Sequence, residues 1–447
     1  MNRKLFSMVA LLIVASLLLG ACGAAPEPET IIETVIETVV VEKEVEVEVP
    51  VEVEVPVEVP VEVLVEVPAE GATLAIEHFS IIEGTTWSGA HDRGGKRIAE
   101  KYPNVEYVYR EEVGPDAAVP YAEELIADGA DIVVGNAEFM GLPLAEIAEK
   151  YPDVVFGTVI TSDDTQKSNF VRYFPRQYQA LYLEGLVAGA LTETGNIGIV
   201  SSFPSIQVAR RQNGFVLGVQ DAAEMLGKDV NLYVKYVGDW YLPAEEADIA
   251  KTLVSQYDVD VITQQTDSGS PLDVATEEGI WYVGKDMDTV GEYGWSDTDT
   301  VAVSFDTRWE VIYEAILKDW LSGDPNPETV LFLGMSEAFT MADGTVYPTV
   351  DIMNDGKVGI DAISPAALPS IPAEIVELIE LRRGQMIEGV WDPFAAHALV
   401  SNGTGLELEG LPVPEKGTVV KAEGEPVPDE WLLWQFNFDL DGVELLD

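Results

Sequence analysis

From Thr73 onward, short apolar runs of strand length alternate with amphipathic stretches of helix length, and this alternation leaves few architectures open. A parallel strand that returns through a crossover helix has both faces covered, so repeated units of this kind build a layered α/β structure. Leu74–Phe79, Val105–Tyr109, Ile132–Val134 and Val154–Ile160 read as strands. The region from Trp87 to Lys101, Tyr121–Ala127 and Pro143–Lys150 read as the helices between them. A break rich in Ser, Asp and Thr at Thr161–Asn169 suits a crossing between lobes. A second series starts with a helix at Pro175–Leu191 and runs through strands at Ile197–Val200, Asn231–Tyr236, Val259–Ile262 and Trp281–Val283. Val301–Ser304 and a helix at Thr307–Leu321 are expected back in the first lobe. The expected division is a first lobe at 71–165 with about 300–325, a second at 166–299 with about 326–370, and a C-terminal segment at 371–447 packing on the lobes. Within that last segment only the helix Ala373–Gly384 is clearly readable.

Two such lobes enclose a cleft, and in open parallel sheets ligands bind outside the carboxyl ends of the strands. Asp258–Asp288 reads as strand, polar loop, helix, strand and polar loop, with Ser270 as the helix cap, Pro271 at the first helical position and Asp273 completing a capping box. Its loops place Asp267, Ser268 and Asp286 at strand ends, as candidates for touching a small molecule or as simple caps and turn formers. Aromatic side chains recur at the same places. Trp87 follows the first strand, Trp240 and Phe203 follow strands of the second series, and Asn136 and Phe139 follow the strand ending at Val134. Each ring also suits lobe-interface packing, but together they point to a flat ligand. Stacking would supply about 1–3 kcal/mol per contact, and a carboxylate would select the ring edge through a hydrogen bond of about 1.5–3 kcal/mol.

The N-terminus is not part of this fold. Arg3 and Lys4 precede an apolar run, Leu5–Leu19, which is followed by Gly20, Ala21 and Cys22, so residues 1–22 read as a targeting segment. The ending resembles a bacterial lipobox, which makes Cys22 the expected lipidation site and the anchor at the extracytoplasmic face of the cell membrane. Residues 23–70 repeat Val-Glu with Pro50, Pro56, Pro60 and Pro68 interspersed, and fourteen glutamates face the single Lys43. Proline and like-charge repulsion both disfavour sheet pairing, so an extended spacer is expected, with a β-rich stalk as the alternative.

Composition narrows the function further. A formal net charge of −54 makes nucleic acid and acidic lipid surfaces poor partners. Cys22 is the only cysteine, which excludes disulfides and cysteine-based metal sites within the chain. His78, His91 and His397 are the only histidines, and no HExxH, GxSxG or P-loop pattern accompanies them. His91, one turn into the helix after Trp87, either reaches the cleft or lies partly exposed. No catalytic residue, metal or cofactor is assigned, and a monomer that binds without catalysis is expected.

Tyr178, Gln179, Ala180, Tyr182, Leu183 and Gly185, continuing to Gly198 and then Gly214, Phe215 and Gly218, make this chain resemble the basic membrane protein family, also called purine nucleoside receptor A-like lipoproteins. The strand ending Gly284-Lys285-Asp286-Met287-Asp288 agrees with it. The resemblance implies a type I periplasmic-binding-protein fold, two Rossmann-like lobes that close on a purine base or nucleoside and deliver it to the permease and ATPase subunits of an ABC importer. By position it implies that Trp87 and Trp240 stack on the ligand, with Gly94 at the matching spacing, and that Asp286 holds the purine edge. The candidate ligand set is thus Trp87, Ser88, Asn136, Phe203, Trp240, Asp267, Ser268 and Asp286. Two departures stand out: Gly84–Gly89 replaces the usual Asp-Lys-Ser-Phe-Asn-Gln loop, and Arg308 stands where a lysine is expected. Both affect groups that would hold a ribose and so favour a free base. A ligand sensor, an adhesin or a binder of another flat heterocycle such as a flavin remain the alternatives.

Overall fold

A computed structural model describes residues 71–159, 167–295, 299–322 and 330–447. Cys22, the targeting segment and the Val-Glu spacer lie outside the described residues, as does most of the expected break after Val159. Helices and strands alternate as follows: β1 (Ala72–Glu77), α1 (Thr86–Lys101), β2 (Val105–Arg110), α2 (Ala118–Ala127), β3 (Ile132–Gly135), α3 (Gly141–Ala148), β4 (Val155–Val159) and β5 (Phe170–Pro175). Next come α4 (Gln177–Leu191), β6 (Asn196–Ser201), α5 (Ile206–Leu226), β7 (Asn231–Tyr236), α6 (Pro243–Tyr257), β8 (Val261–Gln264), α7 (Ser270–Glu278), β9 (Trp281–Val283), β10 (Val301–Thr307) and α8 (Trp309–Leu321). The remainder is β11 (Val330–Leu333), β12 (Ala338–Thr340), β13 (Val346–Pro348), β14 (Val350–Asn354), β15 (Lys357–Val358), α9 (Ala373–Ile387), α10 (Pro393–Ala396), β16 (Leu399–Gly405), β17 (Val419–Lys421), α11 (Asp429–Trp434), β18 (Phe438–Leu440) and β19 (Val443–Leu445).

Two large sheets result, in the orders β11-β5-β4-β3-β1-β2 and β15-β14-β10-β9-β8-β6-β7-β19. The first is parallel throughout. The second is parallel from β10 to β19, with β14 and β15 added antiparallel. Two α/β lobes are therefore present, as the alternating pattern required, in an arrangement consistent with the fold that the resemblance implies.

Their boundaries differ from those read in the sequence. Phe170–Pro175, placed in the second lobe by the sequence, pairs with β4 and completes the first sheet, so the crossing follows Pro175. Arg172 interrupts its apolar run and hides the strand; in the structure Arg172 is buried and lies over the Trp434 ring at 5.2 Å. β10 belongs to the second sheet, although the sequence assigned it to the first lobe, and β11 belongs to the first. Within 301–321 it is α8 that returns to the first lobe, against α1. Gly94 is what lets it approach, since a Cβ there would sit 2.9 Å from the Trp309 Cβ. The C-terminal segment touches both lobes: β19 extends the second sheet beside β7, while Asp429 pairs with Arg176 at 2.6 Å where the first sheet ends.

The motif that carried the family resemblance is structural. Every residue of α4 is buried, and α4 packs lengthwise on α5. A Cβ on Gly218 would overlap the Tyr182 carbonyl oxygen, one on Gly185 the Phe215 carbonyl oxygen, and one on Gly214 would lie 2.5 Å from the Tyr178 carbonyl oxygen. Backbone meets backbone at each of these positions, leaving no space for a methyl group. Gly218→Ala should therefore force the two helices apart and cost about 3 kcal/mol, read as a lowered midpoint in urea or thermal denaturation with the strand content retained.

Candidate functional site

Strand order reverses between β1 and β3 in the first sheet and between β6 and β8 in the second. Loops leaving neighbouring strands diverge at such points and open a crevice. Here the two crevices face each other around a single cavity of 440 Å³, a size in the range of about 300–1,000 Å³ usual for small-molecule sites. The first lobe contributes Phe79 after β1, Trp87 in the first turn of α1, Asn136–Phe139 after β3, Leu142 in α3 and Val159 on β4. The second contributes Phe203 after β6, Gln207 in the first turn of α5, Trp240 after β7 and Asp267 after β8. Five of the eight residues named from sequence, Trp87, Asn136, Phe203, Trp240 and Asp267, thus line one cavity.

On the first-lobe wall, Trp87 and Asn136 have already spent their polar groups, while among the described residues the Glu138 carboxylate reaches only Gln207 of the other lobe. The Trp87 indole N–H donates to the Asn136 carbonyl oxygen at 2.8 Å, and the ring meets Trp309 edge-on at 5.1 Å. The Asn136 amide donates to Ser88 Oγ and accepts from the Phe79 N–H at 2.9 Å, with His78 Nδ1 within 3.2 Å. Burial, with a contribution from Lys96, lowers the His78 pKa to about 3, so this imidazole stays neutral. Trp87 and Asn136 consequently offer a ligand surface area rather than hydrogen bonds. The second-lobe wall is less committed. Phe203 and Trp240 form a T-shaped pair with centroids 4.8 Å apart, and among the described residues the Trp240 indole N–H has no partner. The lobes touch at the cavity rim, where Gln207 Nε2 lies 3.4 Å from Glu138 Oε2 and the Thr86 N–H donates to the Asp267 carbonyl oxygen at 3.2 Å.

Under the cavity lies a buried charge cluster. Lys285 pairs with Asp267 Oδ1 and, at 2.6 Å, with Asp286 Oδ2, while Arg211 Nη2 donates to Asp286 Oδ1 at 3.0 Å. Gln177 donates to both Asp286 Oδ1 and Thr307 Oγ1, which links the two crossings that follow β5 and β10. Burial pushes the Asp267 carboxyl up to about 6, Lys285 pulls it down and Asp286 raises it again. Burial, reinforced by the Asp286 charge, holds Glu184 well above the usual carboxylate range, so it adds no further negative charge.

Three residues named from sequence do not reach the cavity. Asp286, expected at the ligand edge, points at two buried cations instead: Lys285, which it shares with Asp267, and Arg211, which has no other carboxylate partner among the described residues. Ser268 Oγ donates to Glu246 Oε2 at 2.6 Å and accepts from the Ser270 N–H, which staples the loop. The α7 cap is therefore Gly269 rather than Ser270. Ser88 supports Asn136 and Ser80 from behind the wall. His91 neither reaches the cleft nor lies exposed: it is fully buried, stacked on Trp309 at 3.8 Å and hydrogen-bonded to the Tyr313 hydroxyl. Arg308 pairs with Asp306 at 2.7 Å and stays outside the cavity. Phe79, Ala137, Glu138, Leu142, Val159 and Gln207 went unlisted among the sequence candidates. Their signal was position alone, since each sits at a strand end, in the loop beyond it or in the first turn of a following helix. Among the described residues, no group of His, Cys, Asp and Glu side chains is arranged to hold a metal, and no helix is long and apolar enough to cross a membrane.

Residues 74–338 match the family model for PnrA-like ABC transporter substrate-binding proteins. A purine-binding protein of Brucella abortus is 26% identical over 362 residues, covering 80% of this chain and 89% of that one. A putative ABC transporter glucose-binding protein of Haloferax volcanii is 31% identical over 229 residues, covering 51% of this chain and only 56% of the relative. Among solved structures, an ABC transporter solute-binding protein from Aeropyrum pernix superposes with a TM-score of 0.57 at 17% identity, covering 71% of this chain and 92% of that one, a likeness of fold. With the matched segment taking in both lobes and the cavity between them, the chain belongs to the Bmp family of PnrA-like ABC transporter substrate-binding proteins, extracytoplasmic proteins that bind a solute and do not transform it.

Proposed function

We propose that this protein captures a purine base or nucleoside in the cavity between its lobes, held to the membrane through Cys22, and delivers it to a permease. The observation that carries this reading is the cavity wall itself. Phe79, Trp87 and Phe139 from one lobe and Phe203 and Trp240 from the other present rings to a space where the polar groups of Trp87 and Asn136 are already hydrogen-bonded within the scaffold. A flat heterocycle gains stacking on such walls. A hexose would leave most of its hydroxyls without partners, each at a cost of about 1–3 kcal/mol. Asp267 Oδ2 has no partner among the described residues, so it can accept from a ring N–H, while Lys285 on Oδ1 keeps the carboxylate ionised near neutrality. The Trp240 N–H and Gln207 supply the remaining polar contacts. The Brucella relative named for purine binding supports the choice, and the Haloferax relative named for glucose makes glucose the control.

Calorimetry of ligand-stripped protein against adenine, guanine, hypoxanthine, their nucleosides, riboflavin and glucose tests this. One purine should bind saturably at micromolar affinity or tighter, and Trp240→Ala should weaken it by about 10- to 100-fold while leaving the melting temperature unchanged. Saturable binding of glucose alone would sink the purine reading.

Affinity should also depend on pH. The Asp267 carboxyl titrates near 6 in the folded protein, against an ordinary value of 3.8, so the acceptor is lost as pH falls through about 6 and binding should weaken there. The same shift acts oppositely on stability, because the folded state holds this proton more tightly than the unfolded chain. Asp267 therefore stabilises the fold most at low pH, and this contribution declines as pH rises from about 4 through 6. Isotherms at pH 5 and 8 would separate the two effects from a melting series. Asp286→Ala, by contrast, should lower the melting temperature sharply, with a loss of about 3–5 kcal/mol from the stranded Arg211 guanidinium, Lys285 keeping Asp267. A variant that keeps wild-type stability would put Asp286 outside the structural role assigned to it.

A further inference from the structure

A second set of charges joins the lobes away from the cavity. Arg93 and Arg97 lie about two and three turns into α1, on the first lobe. Glu292 lies in the loop after β9, on the second. Arg93 Nε meets Glu292 Oε2 at 2.7 Å, and Arg97 Nη2 donates to Glu292 Oε1. The loop carrying Glu292 is fixed to its own lobe by Asp288, whose carboxylate accepts the N–H groups of Gly291, Asp355 and Gly356 at 2.6–2.8 Å. Glu292 therefore moves with the second lobe and its arginines with the first. Arg97 also pairs with Glu310 of α8 and Arg93 with Asp306 at the end of β10, both at 3.0 Å, while Arg308, at the crossing after β10, lies 3.5 Å from Glu292. The Arg97–Glu310 contact, within the first lobe, can persist when the lobes part, whereas the contacts of Arg93 and Arg97 to Glu292 cannot.

We propose that Glu292, with Arg93 and Arg97, forms a closure latch: an ion pair outside the ligand cavity that sets how often the two lobes shut. None of the three lines the cavity, so the latch acts on affinity only through the population of closed protein. Its design suits a reversible contact rather than a permanent one. The Glu292 side chain keeps 18% of its surface accessible, and Arg93 Nη1 and Glu310 Oε2 are buried without a hydrogen-bond partner among the described residues. A partly satisfied network of this kind gains little net energy from closing and costs little to open. In the open state Arg97 keeps Glu310 and Glu292 keeps Arg308, 3.5 Å away, so opening costs the cross-lobe contacts without leaving Arg97 or Glu292 unpaired. Ionic strength should act on this contact, because a pair that opens to solvent is screened.

The test needs no ligand, which keeps it independent of the purine reading. Spin labels on the exposed positions Glu149→Cys in the first lobe and Glu224→Cys in the second, in the full chain carrying Cys22→Ser, report the distance between lobes by pulsed electron resonance. In unliganded protein the short-distance population should dominate at low salt and shrink at about 1 M NaCl. Glu292→Gln should shift the closed-to-open ratio by about tenfold toward open and remove most of the salt response. Arg97→Gln should act in the same direction, and Glu292→Asp should restore part of the closed population. The circular dichroism melts of Glu292→Gln and Glu292→Asp should stay near that of the parent, whereas Arg97→Gln also takes from the buried Glu310 its partner at 3.0 Å and should melt lower. A distance distribution in the parent chain that ignores salt, or Glu292→Gln and Arg97→Gln distributions that both match the parent, would overturn the latch.

Discussion

The cluster Asp267, Lys285, Asp286 and Arg211 is the constraint on which the cleft depends. Two cations and two carboxylates are taken out of water together, which is tolerable only because each charge meets an opposite one at hydrogen-bonding distance. Glu184 completes the balance by staying protonated, since a third carboxylate charge would leave the cluster net negative in a buried setting. The members come from α5, from the loops after β8 and β9, and, through Gln177 and Thr307, from two crossings. A single charge-balanced knot therefore positions the cleft floor, aims Asp267 and ties both crossings to the second sheet.

Stability and recognition are divided between neighbouring residues as a result. Asp267 and Asp286 follow adjacent strands and share Lys285, yet only Asp267 faces the cavity. The first-lobe wall repeats the division. Trp87 and Asn136 hold each other through the indole N–H and show the cavity their surfaces, while Ser88 and His78 hold Asn136 from behind. Such a wall is prepared before the ligand arrives, which lowers the ordering cost of binding. The freer groups are Trp240, Gln207 and one oxygen of Asp267 on the second lobe and the Glu138 carboxylate on the first. Most of the fixed surface thus comes from the first lobe and most of the free polar groups from the second.

Much of this was legible in the residues. The α/β alternation, nearly every strand of the two series and five cavity residues followed from apolar periodicity and from the rule that ligands meet strand ends. Phe170–Pro175 was missed because Arg172 breaks its apolar run, and only the Trp434 ring, brought from the far end of the chain, makes a buried arginine acceptable there. Gly185, Gly214 and Gly218 carried the resemblance to the family, but their meaning, a backbone-to-backbone helix contact, needs both helices in place. Asp286 was misread because a carboxylate in a loop at a strand end looks the same in sequence whether it faces a ligand or a buried lysine.

The sequence by itself determined the layer architecture, the family and the position of the cleft, because local periodicity and strand-to-loop order are properties of short stretches of chain. Tertiary structure alone decided which strand joined which sheet, as β10 and β11 demonstrate, and which polar side chains stayed available. Those outcomes turn on partners 58 residues apart for Asn136 and His78, 75 for Arg211 and Asp286, and 195 for Arg97 and Glu292. A buried polar group takes its role from whichever donor or acceptor satisfies it, and that partner is chosen by packing rather than by neighbours in sequence.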